Sequence, residues 1–258
     1  IAADDVAGVA ASLSFAASFS ASIPYLCRGC PVHVVDPLAG DAATLGDALA
    51  AAGVTVLSCV PSVHRLLLRG RRSAVASGSL RLVVLGGEAV TSDDVALHRR
   101  VLGDDVALVN RYSCTETFGI ATHRVGLDTT VRPGSLPVGR PVPGREVRLA
   151  DVDPATGVGR IEVLAAALGR RYGGDRDRSA EVFAVEPDGR RLVRTGDLGR
   201  WDDDGLLEHC GRVDDLVKVN GVRVHLGEVR AAMRSLPGVV DAVAVLDGRR
   251  LRGLVEVD

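Results

Sequence analysis

The sequence predicts an α/β fold with three parts: a parallel-sheet αβ layer, a small β-rich, β-barrel-like subdomain, and the start of a C-terminal α+β subdomain. Three observations lead to this prediction. In the first half, short apolar runs alternate with amphipathic stretches, as in strand–helix–strand units. From Pro133 onward, prolines punctuate short segments of alternating polarity, which is typical of β structure. Near the end, an amphipathic segment precedes two strand-like runs.

The first layer is predicted from its apolar runs. Val54–Val60 (VTVLSCV) predicts a strand, and Pro61 then begins a helix, because proline fits the first helical turn. Leu80–Leu85 (LRLVVL) is apolar except for Arg81, and such runs are typical of strands buried on both faces of a parallel sheet. Thr91 and Asp94 have the spacing of a capping box and predict that another helix begins there.

Asp105–Asn110 (DVALVN) predicts the next strand of this layer. Ligands of open α/β sheets bind beyond the carboxyl ends of the strands. We therefore expect the functional residues in the loops after Leu85 and after Val109.

The rest of the chain predicts two further units. Glu146–Leu149, Arg160–Leu164 and Leu192–Arg194 have the pattern of short strands. One helical face is predicted for Leu226, Val229, Met233 and Leu236, and two strands for Val239–Leu246 and Leu251–Val257. We divide the chain into residues 1–132, an αβ unit incomplete at its start, residues 133–210, the β-rich unit, and residues 211–258, the beginning of a C-terminal unit. The last unit is too small for a core of its own.

Composition excludes several classes of function. The net charge is −2 and only 3% of the residues are aromatic, so neither a basic nor a base-stacking nucleic-acid surface is expected. Five scattered cysteines do not form a disulfide framework. The apolar stretch Val6–Cys27 contains several serines and a proline and has no basic leader, so we expect neither a membrane span nor a signal peptide. A cytoplasmic location is the resulting expectation.

Four motifs occur in a fixed order: Gly86–Glu88 (GGE), Asn110–Glu116 (NRYSCTE), Arg194–Leu198 (RTGDL) and Gly211–Glu228 (GRVDDLVKVNGVRVHLGE). Each motif alone is compatible with an ordinary turn. Together they resemble the adenylation domain of nonribosomal peptide synthetases, within the wider family of acyl-CoA ligases and luciferases. The resemblance runs through the whole chain and includes Pro137–Pro141 (PVGRP), which is similar to the connector into the β-rich subdomain.

The resemblance implies an ATP-dependent enzyme that activates a carboxylic acid as acyl-AMP. Such a protein mainly positions the reactants and neutralises phosphate charge. Glu116 would hold Mg²⁺ that bridges phosphate oxygens, and Thr115 would offer its hydroxyl to the same phosphates. Glu116 and Thr115 are therefore the catalytic candidates.

Seven residues are the implied ATP-binding set. The Tyr112 ring would cover the adenine, Asp197 would accept hydrogen bonds from the ribose hydroxyls, and Arg212 would reach ribose or phosphate. Gly86 and Gly87 would let the nucleobase approach the backbone closely. The remaining members of the set, carried over from the same motifs, are Glu88 and Asn110.

The resemblance also implies partners. Asp214 matches a hinge at which the C-terminal unit swings, and Lys218 matches a lysine associated with the second, thioester-forming pose. The expected partners are phosphopantetheine on a carrier protein, neighbouring synthetase domains and an MbtH-like protein. The phosphate-binding loop is expected before Ile1 and the catalytic lysine beyond Asp258, so we expect a piece of a larger enzyme.

The acid-binding pocket that the resemblance implies differs from that of the amino-acid-activating members of the family. It comprises Ala16, Ala17, Ser20, Ser58, Val84, Gly86, Arg111, Gly119 and Ile120. Amino-acid-activating members carry an aspartate where this chain has Ala16, and alanine cannot pair with an α-ammonium group. The implied substrate is a hydroxy, keto or aryl acid that bears an acceptor for Arg111, unless Arg111 points outward or pairs with a protein carboxylate.

Two alternatives remain open at this stage. One is a stand-alone acyl- or aryl-CoA ligase, although the Leu-Gly-Glu sequence at the end of the fourth motif favours a synthetase domain. The other is a degenerate, non-catalytic scaffold in a megasynthase, which Ala16 favours and which the intact Glu116, Asp197 and Arg212 oppose.

Overall fold

The computed structural model describes residues 1–36, 41–69, 79–126, 128–213, 216–219, 222–234, 236–248 and 250–257. The first part of the chain forms a seven-stranded sheet with helices. In chain order its elements are β1 (Ala7–Ala10), α1 (Ala16–Leu26), β2 (Val32–Val34), α2 (Ala42–Ala51), β3 (Val56–Cys59), α3 (Pro61–Arg69), β4 (Leu82–Gly86), α4 (Ser92–Leu102), β5 (Ala107–Cys114), β6 (Phe118–Val125) and β7 (Arg140–Pro141).

Strand order in this sheet is β2-β1-β3-β4-β5-β6-β7. The strands from β2 to β5 are parallel, and β6 and β7 are added antiparallel. The predicted αβ layer is thus confirmed, including the helix that begins at Pro61. A buried aliphatic core that includes Leu57, Val83, Leu85 and Leu108 lies under α2, α3 and α4. Apolar packing therefore holds these three helices against one face of the sheet.

Strand β5 differs from its prediction. It was expected to end at Asn110, with the NRYSCTE motif in the following loop, but it continues to Cys114 and pairs with β6. The alternating polar side chains of Asn110–Cys114 suggested a loop, and the antiparallel partner strand overrides that local signal. Only Thr115, Glu116 and Thr117 connect the two strands.

Helix α4 begins as predicted. The Asp94 carboxylate accepts hydrogen bonds from the Thr91 backbone N–H and hydroxyl, both at 2.9 Å. The same carboxylate accepts from Nε of Arg65 at 2.5 Å and from Nη2 at 3.0 Å. Both partners are buried, and this ion pair locks α3 to α4.

The second part of the chain forms a five-stranded antiparallel sheet. Its elements are β8 (Glu146–Ala150), β9 (Gly159–Ala165), α5 (Arg176–Val182), β10 (Phe183–Val185), β11 (Arg191–Trp201) and β12 (Leu207–Arg212). The sheet order is β10-β11-β9-β8, and β12 also pairs with β11. The three predicted strands are confirmed, whereas α5 was not predicted. A second core, which includes Tyr112, Ile120, Ile161 and Leu207, joins this sheet to the first.

The third part contains β13 (Leu216–Val219), β14 (Val222–His225), α6 (Leu226–Arg234), β15 (Val239–Asp247) and β16 (Arg250–Val257). β13 pairs with β14, and β15 pairs with β16. The predicted helix and both strands are confirmed. Leu236 lies beyond the helix end and is exposed, so it does not extend the helical face.

Among the described residues, no helix is long and apolar enough to cross a membrane. All five cysteines are free. The described part of the chain also contains no cluster of three or more His, Cys, Asp or Glu side chains that could hold a metal ion.

Candidate functional site

A buried carboxylate organises the site where β11 meets β12. Asp197 on β11 is 5% exposed and accepts a hydrogen bond from the Tyr112 hydroxyl through Oδ2. Its Oδ1 accepts from Nη1 of Arg212, on β12, at 2.6 Å. His209 Nε2 lies 3.6 Å from the same oxygen. Three residues predicted for ATP binding therefore contact one another directly.

The charge state of Asp197 follows from these partners. Burial acts to raise its pKa, but hydrogen bonding and charge from His209, Tyr112 and Arg212 outweigh burial, and the pKa lies below the ordinary aspartate value. Burial and the neighbouring carboxylate raise the pKa of Tyr112. Asp197 is consequently an anion and Tyr112 a neutral donor at neutral pH.

The Gly86–Glu88 motif lies at the end of β4. Gly87 has a φ of +88°, which favours glycine, and a Cβ at Gly86 would lie 2.8 Å from the Arg111 carbonyl oxygen. Glu88 accepts from the Ser62 backbone N–H at 3.0 Å and from the Ser62 hydroxyl at 2.8 Å. These features give Gly86, Gly87 and Glu88 structural roles. Their role in ATP binding stays a prediction.

Asn110 and Thr115 occupy different environments. Asn110 is buried, and its side-chain amide donates to the Pro137 carbonyl at 2.9 Å, so it anchors the connector into the second sheet. Thr115 is exposed in the turn after β5. The phosphate role of Thr115 stays a prediction.

Glu116, in the same turn, is held by the segment that follows β9. The Tyr172 hydroxyl donates to Glu116 Oε1 at 2.6 Å, and the Gly169 backbone N–H donates to the Glu116 carbonyl oxygen at 2.9 Å. Burial and the hydrogen bond to Glu116 raise the pKa of Tyr172 to about 12. The Tyr172 ring also lies edge-on to Phe183, with centroids 5.1 Å apart.

A cleft of about 1220 Å³ contains most of the predicted nucleotide residues. Gly87, Glu88, Asn110, Tyr112, Asp197 and Arg212 line it, together with residues of β13, α6 and β15. The cleft therefore lies where the three parts of the chain meet. Its size suits a drug-sized or larger ligand.

The predicted acid pocket is partly assembled beside this cleft. Ser58 is paired with Val84, and Gly86 with Arg111, so these residues share one face of the sheet. Helix α1 covers this face, where Tyr25 is buried. Arg111 Nη1 donates to the Ser20 carbonyl at 3.3 Å.

The remaining pocket candidates differ in how close they lie to Arg111 and in how deeply they are buried. A Cβ at Gly119 would be 3.5 Å from Arg111 Nη2. Ala16, the first residue of α1, is half-buried and Ala17 is exposed. Ile120 is fully buried in the core between the two sheets. Asp214 lies outside the described residues, and of Lys218 only its place on β13 is described.

Sequence reasoning missed three residues of the site: Gly169, Tyr172 and His209. The Gly-rich segment expected around Arg160–Tyr172 is thin, so the sequence drew no attention to a tyrosine at its end. His209 lies 12 positions after Asp197, and only the pairing of β11 with β12 brings it to the carboxylate. The register of this pairing shifts between Leu198 and Gly199, so simple alternation along β12 would not have indicated the contact.

Comparison with known proteins identifies similar chains. A family model described as "AMP-binding enzyme" matches residues 1–172. The isonitrile lipopeptide synthase of Streptomyces coeruleorubidus is 38% identical over 176 residues, covering 67% of this chain and 12% of that protein. The AMB antimetabolite synthetase AmbB of Pseudomonas aeruginosa is 36% identical over 266 residues, covering 98% of this chain and 20% of that protein.

Solved structures share the fold. The crystal structure of IdnL1 matches with a TM-score of 0.87 and 26% identity, covering 100% of this chain and 55% of that one. An NRPS protein containing adenylation and PCP domains, bound to a vinylsulfonamide inhibitor, matches with a TM-score of 0.82 and 26% identity, covering 100% of this chain and 46% of that one. The chain thus spans about half of these structures and at most a fifth of the two synthetases.

Proposed function

The chain belongs to the family of AMP-binding enzymes, and on that premise we propose that it is part of an adenylation domain of a nonribosomal peptide synthetase. The proposed reaction consumes ATP, joins a carboxylic acid to AMP and releases pyrophosphate. The acyl group then passes to the phosphopantetheine thiol of a carrier protein. Neighbouring synthetase domains and an MbtH-like protein are the other proposed partners.

One observation carries the proposal: Asp197, Tyr112 and Arg212 meet in the cleft. An ionised carboxylate offers about four lone-pair positions on its two oxygens. The Tyr112 hydroxyl uses one position on Oδ2 and Arg212 uses one on Oδ1. Oδ2 therefore keeps an acceptor position for a ribose hydroxyl, whereas Oδ1 also has His209 Nε2 at 3.6 Å.

The donors around Asp197 also prepare it for this role. Because Arg212 and Tyr112 keep the carboxylate charged and fixed, it would accept ribose hydrogen bonds without first reorganising. Arg212 also carries a fixed positive charge, which would attract a phosphate.

Glu116 is the proposed ligand for Mg²⁺. Magnesium in nucleotide sites is bound by one or two carboxylates together with phosphate oxygens and water, and a single half-buried carboxylate fits that pattern. The Tyr172 hydroxyl occupies Oε1, so Oε2 of Glu116 is the oxygen proposed to bind the ion. When bound, Mg²⁺ would neutralise phosphate charge.

The two alternative functions, a CoA ligase and a non-catalytic scaffold, would differ from this proposal in acyl transfer and in the site residues they need. A CoA ligase would transfer the acyl group to free CoA instead of a carrier thiol. A non-catalytic scaffold would not need the hydrogen bonds that hold the Asp197 carboxylate. In this protein both Tyr112 and Arg212 make these hydrogen bonds. We therefore favour the catalytic synthetase domain.

Pyrophosphate–ATP exchange by the full-length gene product, with a broad panel of acids, tests the proposal. Asp197→Ala should raise the KM for ATP roughly ten- to a hundredfold, because hydrogen bonds to a charged group contribute about 1.5–3 kcal/mol. Asp203→Ala, which changes an exposed carboxylate in the turn after β11, is the matched control. Normal ATP use by Asp197→Ala would contradict the proposed ribose site.

A further inference from the structure

Arg111 is a half-buried cation whose hydrogen-bond partner, among the described residues, is a backbone carbonyl. Its Nη1 donates to the Ser20 carbonyl oxygen at 3.3 Å, a long contact with a neutral acceptor. Burial lowers the pKa of Arg111, and the charge of Tyr25 acts to raise it. Within the described ranges, no ion pair links Arg111 to an Asp or Glu side chain.

Asp5 and Arg81, which like Arg111 act electrostatically on Tyr25, pair with each other. Asp5 accepts from Arg81 Nε at 2.8 Å and from the Thr55 hydroxyl at 2.8 Å. It also accepts from the Ala2 backbone N–H at 2.7 Å. Asp5 is thus saturated, and Tyr25 lies within electrostatic range of both Asp5 and Arg111. Within the described part of the chain, Asp5 is therefore engaged by Arg81 and not by Arg111.

Arg111 borders the open cleft of about 1220 Å³. Gly119 lies close to the guanidinium, since a Cβ there would be 3.5 Å from Nη2. Arg111 lines the same cleft as Asp197 and Tyr112, so a molecule that contacts Arg111 would lie next to the nucleotide site. An arginine kept partly out of water with only a carbonyl as partner is costly in isolation.

We infer that Arg111 binds a second carboxylate of the acid that this protein activates, so that the substrate is a dicarboxylic acid or a close analogue. This inference rests on the proposed adenylation function. A carboxylate matches the planar fork of a guanidinium and can accept two parallel hydrogen bonds from it. Ala16 and Ala17, at the start of α1, add no charge that would repel this anion.

The test compares matched acids in pyrophosphate exchange with the full-length gene product. Each dicarboxylic acid, of three to six carbons or with an aryl spacer, is paired with its monoamide and with its methyl-terminated analogue. We expect kcat/KM to be about ten- to a hundredfold higher for one dicarboxylate than for both partners. Equal or higher values for the amide or methyl analogue across the panel would overturn the inference.

Two variants test whether Arg111 causes the preference for the dicarboxylate. Arg111→Gln should abolish the preference for the dicarboxylate and leave the KM for ATP unchanged. Arg124→Gln, at an exposed arginine on the adjacent strand β6, should behave as the wild type. A preference that survives in Arg111→Gln would also contradict the inference.

A binding measurement separates failure of the inference from failure of the proposed function. If no acid supports exchange, the adenylation proposal fails. Calorimetry then compares non-hydrolysable acyl-sulfamoyl adenosines with and without a terminal carboxylate. Tighter binding of the carboxylate form, lost in Arg111→Gln, supports the anion site. Equal binding of both forms refutes it.

Discussion

From the hydrogen bond that Tyr172 donates to Glu116, we predict that this tyrosine, outside the motif, orients the carboxylate proposed to bind Mg²⁺. Tyr172→Phe removes one donor at 2.6 Å and keeps the ring next to Phe183. A hydrogen bond to a charged group contributes about 1.5–3 kcal/mol, and both partners are only half-buried, so the lower end applies. We expect kcat to fall about tenfold.

The assay is acid-dependent pyrophosphate exchange by the full-length gene product over a range of Mg²⁺ concentrations. Tyr172→Phe should need more Mg²⁺ for half-maximal rate, because Glu116 is no longer held in one orientation. Arg178→Gln removes the cation 5.9 Å above the same ring and keeps the hydroxyl, so it is the matched control. In a Glu116→Gln background, the Tyr172 change should have little further effect. A wild-type rate for Tyr172→Phe at every Mg²⁺ concentration would refute this reasoning.

Two further predictions concern stability. His64 is buried next to His98, and burial followed by the charge of His98 lowers its pKa from 6.5 to about 3. A histidine with a lowered folded-state pKa contributes stability above pH 6.5 that is lost as the pH falls, at up to about 1.4 kcal/mol per pH unit. Between pH 6.5 and 5, the free energy of unfolding of the wild type, measured with urea, should therefore fall by up to about 2 kcal/mol more than that of His64→Gln. An equal fall in both proteins would contradict this. Gly86→Ala places a Cβ 2.8 Å from a backbone oxygen and should cost roughly 1–3 kcal/mol. Gly173→Ala, where a Cβ meets nothing within 4 Å, should change the free energy of unfolding little, and equal losses for both would exclude the steric explanation.

The strands and helices of the first layer could be predicted from local signals. The apolar run at Leu80–Leu85 and the start of α4 at Ser92, after the Thr91–Asp94 pair, agree with the structure. These features depend on residues that are close in sequence, where periodicity and capping chemistry are informative. The order of the four motifs was enough to indicate the family.

The contacts that assemble the site could not be predicted in this way. Tyr172 reaches Glu116 across 56 residues of sequence, and the Tyr112 hydroxyl reaches Asp197 across 85. Such pairs depend on how the two sheets pack, and the sequence pattern of one segment carries no information about that. The continuation of β5 to Cys114 was missed for the same reason, since β6 supplies the pairing.

The most direct test of the central claim is mass spectrometric detection of an acyl-adenylate. The full-length gene product is incubated with ATP, Mg²⁺ and each acid of the panel, and the products are analysed before and after addition of a phosphopantetheinylated carrier domain. We expect an acyl-AMP that forms only with certain acids and then disappears as the carrier gains the acyl mass. ATP binding without an acyl-AMP for any acid would contradict it and would identify the protein as a nucleotide-binding scaffold.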